Sequence, residues 1–103
     1  MLSAKLMFIC VGLLGAAVSE AADSEAIISR VRTCQNNLQR GVMFTGDEIG
    51  KTASDYPDGC CIICARTNGC TAFTWTDDHH GMCSLKKFKR KAFPAQGSVS
   101  GSI

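Results

Sequence analysis

The side chains with the most chemistry to offer are the cysteines. Cys61-Ile62-Ile63-Cys64 has the C-x-x-C spacing used by zinc sites and by dithiol redox enzymes. A second group, Asp77-Asp78-His79-His80, puts four metal-ligand side chains on adjacent residues. A third, Lys86-Lys87-Phe88-Lys89-Arg90-Lys91, places five positive charges in six residues, a pattern that attracts sulfated or acidic polysaccharide. Trp75 stacks on a sugar ring if it faces outward, and Tyr56 is the other aromatic expected at the surface.

Each grouping also has a plainer reading. In an oxidising compartment a dithiol with further cysteines nearby closes into structural bridges, so neither zinc nor redox catalysis is expected. Adjacent ligands on an exposed turn seldom converge on one ion, so Asp77 to His80 reads as a solvated tip on which recognition can be built. Large aromatics in a small chain belong to the core, which is the first reading of Phe73 and Trp75. Lysines in the 86–91 run also protect sheet edges from aggregation. Gly-x-Ser-x-Gly, a phosphate-cradling loop and His-Glu-x-x-His are all absent, and no nucleophile accompanies the Asp and His of 77–80. The expectation is a non-enzyme without cofactor or metal, with little room for a pocket of the usual ~300 Å³ or more.

Length and leader set the compartment. Of 103 residues, the start Met1 to Lys5 is basic, Leu6 to Val18 is apolar, and small residues follow at Ser19, Ala21 and Ala22. That is the pattern of a secretory signal peptide over 1–21, cleaved after one of those three residues and too short to remain as an anchor. Its removal takes away Cys10 and leaves six cysteines, an even number fit for a disulfide framework. The formal net charge is +2, and losing Lys5 and Glu20 leaves it there, too mild for a nucleic-acid partner. Neither repeats nor a linker tract interrupt the chain, so a lead-in at 22–33 and a single domain at 34–103 are expected.

The elements that must position these residues centre on Cys60 to Cys83, where five of the seven cysteines fall within 24 residues. A helix near 56–67 is expected, capped by Asp55, with Pro57 and Asp58 in its first turn and a stop at Asn68-Gly69. Gly59 is a weak point in it, costing ~1 kcal/mol against Ala. Thr71 to Thr76 alternates as a strand, with Phe73 and Trp75 on one face and Ala72 and Thr74 on the other. Asp77 to Gly81 turns the chain into a partner strand from Met82. Upstream, Val42 to Ile49 reads as one or two edge strands ended by Gly50, with Gly41, Gly46 and Gly50 at turns and bulges. Asp23 to Arg32 has the spacing of a short helix capped by Ser24, but a lead-in ordered only near Cys34 is the favoured reading. Phe93 to Gly101 looks flexible by composition.

Six cysteines allow 15 pairings and spacing alone does not choose among them. Geometry ranks them. Cys60 and Cys64 share a helix face, and Cys61 is turned roughly 100° from Cys60. Cys64 reaches Cys70 through the turn, Cys60 reaches Cys83 on the second strand, and Cys61 is left for Cys34.

A helix with Cys-x3-Cys, a Gly-Cys shortly after it, the aromatic strand TAFTW and a final Cys-x-Leu-Lys resemble the PAN/apple domain, in its short form from secreted lectin-like and cell-wall-binding proteins. The likeness runs from about Cys34 to Gly101. It implies an α+β fold, one helix on a curved antiparallel sheet, with bridges Cys60–Cys83 and Cys64–Cys70. Gly41 to Phe44 resemble the family's G-x-x-F strand. Val99-Ser100-Gly101 resemble its closing strand, in which Val99 pairs with the sheet and the last two residues fray. The chain departs from the larger apple pattern in lacking a cysteine near its end and in carrying Cys61.

The resemblance further implies a secreted, extracellular adhesive module that recognises carbohydrate or an extracellular protein and has no membrane contact after leader cleavage. The candidate ligand-binding residues are Tyr56, Trp75, Asp77, Asp78, His79, His80, Lys86, Lys87, Lys89 and Arg90. Three bridges at ~2–4 kcal/mol each match the whole net stability of a small fold, ~5–15 kcal/mol. Reduction is therefore expected to abolish the cooperative melting transition, and an unchanged calorimetric trace would refute the framework.

Overall fold

The computed structural model describes residues 25–103, and the expected leader and the Ser24 cap lie outside them. Helix α1 covers 25–36. Strands β1 (Gln39–Phe44) and β2 (Glu48–Ala53) follow, then helix α2 (Pro57–Arg66), strand β3 (Ala72–Thr76), a one-turn 3-10 segment (Asp78–His80), strand β4 (Met82–Lys86) and strand β5 (Ala92–Ser102). The strands form one antiparallel sheet in the order β1-β5-β3-β4-β2. No helix of the described residues is long and apolar enough to cross a membrane.

The α+β, disulfide-stapled architecture stands, with a second helix added to it. Residues 25–36 are helical where a loose lead-in was favoured. Val31 packs on the core and Cys34 is tied to Cys61, so this amphipathic segment gains an anchored face on which to fold.

α2 is organised by its cysteines. Cys60, Cys61 and Cys64 are all buried, and adjacent ones diverge by the helical rotation. Cys60 bonds Cys83 on β4, Cys61 bonds Cys34 on α1, and Cys64 bonds Cys70 just before β3. One helix is thereby joined to the sheet, to the other helix and to its own exit loop. The bridges span 27, 23 and 6 residues. Loop-closure entropy assigns about 3.5 kcal/mol to each long one and about 2 kcal/mol to the short one.

The ends of α2 depart from expectation at the start and agree at the stop. Tyr56, not Asp55, is the N-cap, and no side chain caps the helix; Pro57 opens it and Asp58 lies in its first turn. The nearby hydroxyl of Ser54 donates to the Tyr56 carbonyl at 2.7 Å, which fixes the entry without a side-chain acceptor at the cap. Gly59 is explained by the same serine, because a Cβ there would strike Ser54 Oγ. At the far end Gly69 takes φ +85°, the left-handed turn that carries the chain away from the helix.

Gly41 and Gly50 lie at strand irregularities, as expected, while other pairing details differ. Gly50 does not end a strand but lies inside β2, beside a register shift between Glu48 and Gly50. A second shift, between Arg40 and Val42, brackets Gly41 at φ +75°, a bulge that bends β1. The segment that looked flexible is the longest strand. β5 pairs with β1 alone through Phe93 and Pro94, where Pro94 needs no second partner, and with both β1 and β3 around Val99 and Ser100. The last two residues are not frayed: Ser102 pairs with Ala72, the Ile103 amide donates to Thr71 O at 2.9 Å, and Ile103 packs on the core.

The core between helices and sheet consists of six cystine residues with Phe73 and Leu85, flanked by Val31, Leu38, Ile63, Trp75 and Ile103. Gly101 sits opposite Phe73, and a Cβ at this position would lie 2.7 Å from the Phe73 ring and 3.0 Å from Leu38. Overpacking of this kind costs ~1–3 kcal/mol. Gly101→Ala is expected to lower the melting temperature by ~4–8 °C per kcal/mol, read by circular dichroism.

Candidate functional site

Alternation on β3 and β4 divides the sheet into two chemically different faces. Phe73, Cys83 and Leu85 point to the helices and are fully buried. The opposite face carries no helix and is built in cross-strand rows. Lys51, Ser84, Thr74 and Ser100 make one row, Ala53, Met82 and Thr76 a second, and Glu48, Lys86, Ala72 and Ser102 a third. The end of β1 folds over it with Met43 and Phe44. The result is an open groove of about 460 Å³ whose rim includes Asp78 and His79 from the 3-10 turn. A cavity of that size was not expected from so short a chain. It exists because all bridges lie on one side of the sheet, which frees the other.

The floor is a hydrogen-bonded relay. The Phe44 amide donates to Thr74 Oγ1 at 2.8 Å, the Thr74 and Ser100 hydroxyls meet at 2.9 Å, and Ser100 donates to Val42 O at 2.7 Å. With Thr74 donating onward to Ser100, every group in the chain has a partner. Towards β2 lies a charged set. Lys86 Nζ donates to Ser84 Oγ at 3.1 Å and stands 3.9 Å from Glu48 Oε1, while Ser84 donates to that same carboxylate. The Lys86 side chain is only 10% exposed, against 43% for Glu48. An ammonium has three donors and a carboxylate several acceptor positions, so this pair keeps unused capacity of both kinds beside Met43 and Met82.

The 3-10 turn is held in an unusual backbone state. His79 and His80 take φ of 51° and 70°, left-handed values at two successive non-glycine residues. Such residues cost of order 1–3 kcal/mol each and concentrate where a loop must present a side chain in one direction. Here His79 is presented to the groove.

The structure gathers only three of the expected ligand-binding residues, Asp78, His79 and Lys86, at this groove. Asp77 and His80 are exposed on the same turn but do not line it. Tyr56 is 73% exposed at the α2 entry, outside the groove. Trp75 is not an outward platform: it packs on the disulfide core, and its indole N–H donates to Ser54 O at 2.8 Å. Among the described residues no three His, Cys, Asp or Glu side chains converge as a metal site.

The basic run is dispersed by the same geometry. Lys86 ends β4 and enters the groove, Lys89 lies 4.7 Å over the Phe44 ring, and Arg90 pairs with Asp47 at 3.3 Å. Lys87 stands 5.6 Å from the Phe88 ring.

The groove residues outside the expected ligand-binding set are Met43, Phe44, Glu48, Lys51, Thr74, Thr76, Met82 and Ser84. The two-residue period already opposed Ala72 and Thr74 to Phe73 and Trp75, and extending it to Thr76, Met82, Ser84 and Lys86 would have mapped about half the groove. The approach of Glu48 depends on the β2–β4 register, which a bulge sets.

Residues 42–86 match the family model described as the PAN domain. Among solved structures, a PAN module from Eimeria tenella, determined in solution, is 30% identical and superposes with a TM-score of 0.50, covering 67% of this chain and 77% of that one. No curated protein matches. Thr74→Val keeps the side-chain shape but leaves the Phe44 amide without an acceptor, which costs ~1–3 kcal/mol when the group is buried. Urea unfolding is expected to show a lower midpoint at unchanged slope.

Proposed function

The chain belongs to the PAN domain family, and from that premise we propose that it is a secreted, non-catalytic module that recognises carbohydrate in the groove on the helix-free face of its sheet. PAN modules are binding domains of protein or carbohydrate. One observation carries the choice: an ammonium and a carboxylate, Lys86 and Glu48, lie side by side in a groove with Ser84, Thr76 and Asp78 around them. Neighbouring hydroxyls of a sugar ring each donate and accept, and such a pair meets both needs at once. Met43 and Met82 supply apolar surface for the ring's C–H face.

The leader pattern and three disulfides, which persist in oxidising compartments, support the secreted reading. The donor and acceptor set is arranged for holding a ligand. No step of bond making is assigned to it.

A protein partner is the second reading. Phe44 is the groove's phenyl ring and is only 1% exposed, so it is closed to stacking, and the adjacent Met43 and Met82 adapt well to a peptide side chain. A glycan array separates the two. The carbohydrate reading expects saturable binding that a free sugar inhibits. It also expects Lys86→Met and Glu48→Gln each to lose about tenfold or more, since a hydrogen bond to a charged group contributes ~1.5–3 kcal/mol. A blank array, together with an isolated protein partner whose binding those substitutions abolish, transfers the groove to the second reading. Substitutions without effect on any ligand would remove the groove from function.

A further inference from the structure

The end of the β1–β5 ribbon, away from the helices, carries a surface that the groove reading does not use. Its backbone is tightly drawn together. Thr45 donates to Lys91 O at 2.8 Å, Arg90 to Thr45 O at 2.7 Å and Lys87 to Asp47 O at 2.8 Å, which clamps the 87–91 loop against the turn after β1. Gly46 fits there because a Cβ would meet the Phe88 carbonyl. On this clamped end two large apolar side chains outside the groove are open to solvent, Phe88 at 51% and Phe93 at 45%. Lys87, Lys89, Arg90 and Lys91 are exposed beside them, and Asp47, already paired with Arg90, is the acid on this loop pair.

We propose that this end of the module docks on an anionic lipid surface, with Phe88 and Phe93 entering the interfacial layer and the lysines held at the headgroups. Fixed aromatic side chains interleaved with cations suit a bilayer on both counts, apolar insertion and charge. A sulfated chain would draw on the cations alone and gain nothing from exposed Phe88 and Phe93. It would also find the charges divided, with Lys86 turned into the groove and Arg90 neutralised by Asp47. The short apolar run of 6–18 argues against a membrane anchor, and peripheral docking requires no span.

The test is co-sedimentation of the full secreted chain with phosphatidylcholine vesicles with and without phosphatidylserine, at ionic strength of about 0.1 M, where the Debye length is ~10 Å. Binding to the phosphatidylserine vesicles only is expected. Lys87→Gln and Lys91→Gln should each weaken it about fivefold, the effect of one basic residue near an anionic membrane surface. Phe88→Ser should weaken it several-fold at unchanged melting temperature, since Phe88 is already exposed in the fold. Two results overturn the proposal. One is no binding to the anionic vesicles, including the case where heparin alone is bound. The other is vesicle binding that Phe88→Ser leaves untouched, which is charge attraction without docking. Neither outcome bears on Lys86 and Glu48, so the groove reading is decided separately.

Discussion

Cystine sulfur occupies the place that aliphatic side chains fill in larger domains. Among the described residues the main buried cluster holds, besides the six half-cystines, Phe73 and Leu85. A chain with about 80 described residues cannot bury enough apolar surface to offset its conformational entropy comfortably. Cross-links act on the other side of that balance by limiting the unfolded ensemble. Their position matters as much as their number, because all three radiate from α2, so the helix and everything it touches form one unit. The short α1 joins it through the Cys34 bridge, the packing of Val31 and the Gln35 amide, which donates to Asp58 O at 3.2 Å.

Concentrating the covalent frame on one side of the sheet has a functional consequence. A sheet with helices on both faces would need apolar residues at every position of β3 and β4. Here the second face is relieved of that duty and holds Thr74, Ser84, Lys86 and Ser100, three of them among the buried polar residues. Their satisfaction by one another, by backbone and by Glu48 is what makes such a face tolerable, and no buried side-chain polar atom among the described residues lacks a partner. The surface so created is polar, charged and concave. Family membership fixes the scaffold and does not name the ligand.

Ser54 shows how the two sides are kept in register. Its carbonyl receives the Trp75 indole, its amide donates to Gly81 O at 3.1 Å, and its hydroxyl holds the α2 entry. A single residue thus links β2 to the helix, to β3 and to the turn that presents His79. Close approach here is possible because Gly59 and Gly81 have no Cβ to obstruct it.

Local chemistry along the chain was enough to determine much of the fold. The alternation of Thr71 to Thr76, the stop at Asn68-Gly69 and the Cys-x3-Cys spacing are set by neighbours within a few residues, so α2, β3 and β4 were legible, as was the resemblance to the PAN family. What depends on distant partners was not. Residues 25–36 are helical because a bridge and the core hold them, and the closing strand that the resemblance placed at Val99 to Gly101 starts as early as Ala92 because β1 is there to pair with it. The same limit applied to the site. Tyr56 is exposed, as its type suggests, yet stands outside the groove, whereas Trp75 lies against the core, the first reading for a large aromatic in a small chain. The tertiary structure brought Glu48 to Lys86 across a register shift, a contact that no spacing in one strand encodes, since register is settled only when both strands are packed on the same core.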